Sequence, residues 1–212
     1  MDGIAETGAS IEIKSSVSEQ LDAISIPNID KANITLLTKK LKPATFFDLE
    51  YFPFRDATYP LAKWRADTER LTSLFDSLSF PIYVADTKSW KSPVSEDSIG
   101  KTFHVGIDQE HLDQLLAALR NPSFSESNRA TGLALGYPAT AVEAWSSKPR
   151  TTIYKKDLPP EVRDSDVIKF VGFALSRDHW QEELEQVKRI AAAIHETDPK
   201  LYHSIIAAPP NY

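Results

Sequence analysis

Apolar positions recur along this chain with two different periods. Between residues 59 and 78, Leu61, Trp64, Thr68, Leu71, Phe75 and Leu78 follow alternating steps of three and four, a single stripe on a 3.6-residue helix. Thr58 stands where a cap belongs and Pro60 suits the first turn. Leu112, Leu115, Leu116 and Leu119 repeat the pattern behind Asp108, a second capping residue. Trp180, Leu184, Val187, Ala191 and Ile194 predict a longer C-terminal helix. Glu182, Glu183 and Glu185 lie near its start, and Lys188 and Arg189 follow, as the helix dipole favours. Shorter helices are expected over 126–135, closed by Gly136, over 141–145, begun by Thr140, and over 200–207 after Pro199.

Other segments read as strands because β-branched and aromatic residues crowd them. These are 33–38, 44–51, 80–86 and 102–107, with a turn at Pro43 and a further short strand over 151–155. The run IKFVGFAL, 168–175, is nearly apolar throughout, as a strand covered on both faces would be. Strands and helices together predict an α/β or α+β fold, a mixed β-sheet flanked by helices. Residues 1–30 lack a sustained period, although SEQLDAISI can form an amphipathic turn or two, and are expected to be a flexible acidic tail. Residues 31–212 then make one globular domain.

Composition narrows the function classes. The chain has no cysteine, which removes disulfides, thiolate metal sites and cysteine nucleophiles and makes the cytoplasm the default setting. The opening MDGIAETGASIEIKSS lacks a basic start followed by an apolar stretch, so no signal peptide is expected. No window reaches the roughly 18 to 20 apolar residues of a membrane helix. Lys and Arg number 24 against 30 Asp and Glu, and residues 1–30 hold six of the acids with one base, so the remainder is close to neutral. A near-neutral body has little hold on a phosphate backbone. The densest basic cluster, Lys39, Lys40 and Lys42, has no interleaved aromatics for stacking on bases, so nucleic acid is disfavoured as a partner.

No G-x-G-x-x-G, G-x-x-x-x-G-K, G-x-S-x-G or H-E-x-x-H motif occurs, so no nucleotide cofactor, nucleophile elbow or zinc helix is expected. Four constellations carry candidate chemistry. Ser176, Arg177, Asp178 and His179 stand where an expected strand gives way to a helix. There His179 would act as acid/base and Arg177, with Ser176, would anchor an anion; the alternative is that Ser176 or Asp178 caps the helix. His179 and Glu183, four apart, share a helix face, but no metal site is expected. Asp86, His104 and Asp108 fall near strand ends; parallel neighbouring strands would bring the two carboxylates to one edge. Gly136-Tyr137-Pro138, with Thr140 and Glu143 behind it, forms a rigid corner whose tyrosine either lines a pocket or packs internally. Residues 46–55 hold five aromatics with Asp48, Glu50 and Arg55, and alternation sets Asp48 and Glu50 on one face.

The expectation from these residues is an enzyme acting on a small polar or amphiphilic molecule without a nucleotide cofactor. His179, Asp48, Glu50 and Asp86 are its candidate acid/base groups. Arg177, Ser176, Tyr137, Arg55 and Glu143 are its candidate substrate contacts. The alternative is a non-catalytic interaction module using 46–54 and 133–145 as its surface, and a homo-oligomer is a possible assembly.

Overall fold

A computed structural model describes residues 16–51, 59–88 and 99–209. The elements run α1 (Val17–Asp22), α2 (Asn28–Thr38), β1 (Ala44–Tyr51), α3 (Leu61–Ser77), β2 (Ile82–Lys88), β3 (Ile99–Gly106) and α4 (Gln109–Arg120). They continue with α5 (Phe124–Ala134), α6 (Ala139–Ser146), α7 (Pro160–Arg163), α8 (Trp180–Thr197) and α9 (Pro199–Ala207). Short 3₁₀ turns span Lys155–Asp157 and Asp166–Phe170. The fold is α+β: a three-stranded sheet of order β1-β3-β2, antiparallel at both pairings, with helices around it. Among the described residues no helix is long and apolar enough to cross a membrane.

The sheet buries one face. Phe47 and Leu49 of β1 and Phe103 and Val105 of β3 pack against Leu71, Leu74 and Phe75 of α3 and Ile34 and Leu37 of α2. Cross-strand neighbours of an antiparallel pair share a face, so Phe46, His104 and Tyr83 form an aromatic row on the other side. Their rings contact in sequence, and Arg120 of α4 lies over Tyr83.

Three expected strands are not strands. Residues 33–38 belong to α2, which is buried on two sides. Ile34 and Leu37 face the sheet core, while Ala32 and Leu36 join a second core with Val187, Ala191 and Ile194 of α8 and Leu201 and Ile205 of α9. A helix sandwiched in this way loses its polar stripe, and its run of apolar and β-branched residues imitates a strand. Residues 168–175 form the end of a 3₁₀ turn and an extended segment whose side chains serve different clusters. Phe170 enters the second core and Ile168 and Leu175 a third, with Leu158 and Leu184. An apolar run reports burial, and burial here comes without a ladder. Of the strand expected over 151–155, one isolated bridge remains, Thr152 to Ser176.

The expected tail also divides differently. Residues 1–15 lie outside the described residues, and 16–30 are part of the fold. Ser16 and Glu19 close a reciprocal capping box at α1, and Leu21, Ile24 and Ile26 are buried beneath it. The buried carboxylate of Asp67 in α3 holds this segment, accepting from the Ser25 N–H at 3.1 Å, the Tyr59 hydroxyl at 3.1 Å and the Arg70 guanidinium at 3.1 Å. Burial alone would raise the Asp67 carboxyl, but the Ser25 N–H, Lys63 and Tyr59 together hold it below the usual carboxylate range.

Three helices end in the same Schellman turn. After α2, α3 and α5 the left-handed residues are Lys40 (φ 56°), Ser79 (φ 57°) and Gly136 (φ 77°). In each, the following N–H reaches back to the third-last helical carbonyl: Leu41 to Leu36, Phe80 to Phe75, Tyr137 to Gly132. The turns after α2 and α5 bring Lys42-Pro43 and Gly136-Tyr137 against one another.

Candidate functional site

Gly136 fixes that contact. Beyond its positive φ, an added Cβ would stand 2.6 Å from Cδ of Pro43, so only glycine lets the corner close on the α2–β1 connection. Pro43 is itself pinned to the sheet end, its carbonyl accepting the Ile107 N–H at 2.9 Å. The Gly136 carbonyl accepts from the Gln186 amide of α8 at 3.0 Å, and the Tyr137 ring stacks at a tilt on Phe173, centroids 5.4 Å apart.

Into this corner the chain inserts a lysine. Lys42 is 9% exposed, its Nζ donates to the Leu135 carbonyl oxygen at 3.1 Å and lies 5.1 Å from the centre of the Tyr137 ring. Among the described residues no carboxylate pairs with it. Burial pushes its ammonium down to about 8, and burial also pushes the Tyr137 phenol up.

Lys42 lines a cavity of about 150 Å³, walled by Leu36, Phe170, Ile190 and Ile194, with Asn33 and Gln186 among its other polar side chains. Asn33 makes no side-chain hydrogen bond among the described residues. A second, more apolar cavity of about 250 Å³ lies between α5 and α6, lined by Ala141, Val142 and Trp145. Leu135, Tyr137 and Phe173 line both, so the Tyr137–Phe173 pair is their common partition. The Thr131 hydroxyl on the second wall is buried without a hydrogen-bond partner among the described residues.

Of the candidate site residues read from sequence, Gly136 and Tyr137 stand in this site, and the others among the described residues are elsewhere. His179 is exposed at the start of α8, its Nδ1 3.6 Å from a Glu182 carboxylate oxygen. Ser176 is buried with its hydroxyl accepting the His179 N–H at 2.8 Å, which stiffens the entry to α8. Arg177 is exposed, joined to Thr151 through its backbone N–H. Glu143 is exposed and pairs with Arg129. Asp48 and Glu50 lie on the outer sheet face, Asp48 accepting the Thr102 hydroxyl at 2.5 Å. Asp86 is on the opposite face, in an exposed ion pair with Lys101 at 2.8 Å. Because β2 and β3 are antiparallel, Asp86 and Asp108 sit at opposite ends of the sheet rather than on one edge. Arg55 lies outside the described residues. Among the described residues no hydrogen bond or ion pair joins His179 to Asp48, Glu50 or Asp86, and no cluster of three metal-ligating side chains occurs.

Of the 46–54 segment, Phe47 and Leu49 are core and Phe46 is exposed, while Phe52 and Phe54 lie outside the described residues.

Two groups take parts that the sequence reading did not give them. Glu183, 2% exposed, accepts from the Thr140 hydroxyl at 2.6 Å and the Ser176 N–H at 2.7 Å, tying α8 to α6 and to the bridge segment. Lys42 was visible only as one of three neighbouring lysines, and nothing local separates it from the exposed Lys39 and Lys40. Comparison with models of protein families, with curated proteins and with solved structures gave no match.

Proposed function

We propose that this chain binds a small amphiphilic molecule at the Tyr137 corner, its acidic head on the Lys42 amine and its apolar body along Tyr137 and Phe173. One observation carries the reading: a buried lysine lining a cavity, with no carboxylate partner among the described residues. A desolvated cation is costly unless something compensates it, and a ring face with one carbonyl compensates only in part. A bound carboxylate would complete the set, with the Asn33 amide available as a second donor. A cavity of about 150 Å³ has room for a molecule near the size of benzene, which sets the scale of the ligand. A cysteine-free chain fits a reducing compartment, so the cytoplasm is the expected setting for this activity.

The test is a thermal-shift and calorimetric series with benzoate, benzamide and benzyl alcohol, on the wild type and Lys42→Met. A ligand at 100 times its dissociation constant adds about 2.7 kcal/mol of stability. Benzoate should bind best, and Lys42→Met should remove its advantage over benzamide. Equal binding of the three, or benzoate binding untouched by Lys42→Met, would contradict the reading.

A further inference from the structure

The geometry points to a second capacity of the same amine: we infer that Lys42 condenses with a small aldehyde or ketone in the cavity to form a reversible imine. This rests on the reading that the cavity takes a ligand at Lys42, and adds bond formation to it. Among the described residues Lys42 Nζ has one main-chain acceptor, the Leu135 carbonyl at 3.1 Å, and the face of the Tyr137 ring, and no carboxylate holds it as an ammonium. The Leu135 carbonyl can accept from a neutral amine as well as from an ammonium, so loss of the proton does not break the anchor. Burial of the amine favours the neutral form, which is the nucleophile, more than in an ordinary solvated lysine. The other lysines around this turn, Lys39 and Lys40, are exposed.

The step balances without any oxidant. The amine lone pair forms a C–N bond to the carbonyl carbon, the carbonyl π pair moves to oxygen, and the nitrogen passes its proton to that oxygen through solvent. The resulting carbinolamine loses one water as the second nitrogen proton leaves and the C=N bond forms. Addition of water reverses both stages. The neighbouring ring face, and the carbonyl of Leu135, would favour the protonated imine, which is again a cation in the place of the ammonium.

The full chain is incubated with benzaldehyde at pH 8, reduced with cyanoborohydride, digested and mapped by mass spectrometry, with benzoate binding measured on the same preparation. A benzylamine adduct at Lys42 at least tenfold above those at Lys39 and Lys40, lost when the protein is unfolded in urea before labelling, supports the inference. In Lys42→Arg the remaining lysines should label as in the wild type. Labelling spread over exposed lysines with Lys42 spared would overturn it. If benzoate nevertheless binds through Lys42, the imine chemistry alone fails; if benzoate does not bind either, the ligand site fails with it.

Discussion

Lys42 Nζ and the Leu135 carbonyl oxygen, 93 positions apart in the chain, meet at 3.1 Å across the junction of two Schellman turns. The bond gives the amine one hydrogen-bond partner, and among the described residues its charge has no counter-ion. A lysine kept there by stability alone would be a poor choice, because an apolar side chain of its length would fill the space without the desolvation. Residues that serve a ligand often cost stability in this way.

Lys42→Met should therefore stabilise the fold. The change from the ordinary 10.5 to about 8 corresponds to roughly 3 kcal/mol at neutral pH, and the lost bond to Leu135 returns about 1 kcal/mol of it, for a net gain of about 1–2 kcal/mol. The gain has a pH signature. Between pH 8 and 10.5 the unfolded chain holds a proton at Lys42 that the folded one has released, so wild-type stability rises with pH there relative to the variant. Urea unfolding of both proteins at pH 7 and pH 10 checks this, with the difference closing at the higher pH. A less stable Lys42→Met protein at pH 7 would assign the lysine a structural role.

Gly136→Ala should cost about 2–4 kcal/mol. Its φ of 77° strains an L side chain, and the new Cβ meets Pro43 at 2.6 Å with no flexible atom to yield. The displaced corner should also lose benzoate binding more than stability loss explains, read by calorimetry well below the melting point.

Asp30 titrates in the opposite sense. Burial, and secondarily the charge of Asp48, raise its carboxyl to about 6, so its contribution to stability is full below pH 3.8 and is lost as pH rises through 6. At pH 7 Asp30→Asn should stabilise by about 1 kcal/mol. The part-exposed carboxyl and its favourable place in the first turn of α2 keep the gain below what the shift alone implies. At pH 3.5 the variant should match the wild type, and melting temperatures at the two pH values decide it.

The α8 junction offers a contrast between neighbouring residues. Ser176→Ala removes the acceptor of the His179 N–H and should cost about 1 kcal/mol. His179→Ala exchanges an exposed side chain and should change stability by less than about 0.5 kcal/mol, with benzoate binding unaltered. Denaturant midpoints and calorimetry on the two variants separate a hydrogen-bonded turn before α8 from a ligand site at His179.

Helices with one wet face were legible. The stripes of α3, α4 and α8 each survive as a polar and an apolar side, and Gly136 announced the end of α5. Elements without a wet face were not, because α2 packs on two cores and the 166–170 turn shares its side chains among clusters. The ends of α2 and α3 were hidden for another reason: Lys40 and Ser79 take the left-handed position where glycine would have signalled it. Tyr137 could be found because a rigid corner is written in adjacent residues. Lys42 could not, since its burial is made by Leu135, Gly136 and Tyr137, and a local pattern carries no record of so distant a neighbour.

The most direct test of the Lys42 site is a titration of lysine side-chain NMR signals in the labelled protein, assigned with Lys42→Arg and repeated with benzoate. One lysine should titrate with a midpoint near 8, vanish in Lys42→Arg, and move upward in midpoint when benzoate supplies its counter-ion. If Lys42 instead titrates near 10.5 and ignores benzoate, its amine is solvated in solution and the corner holds no ligand site.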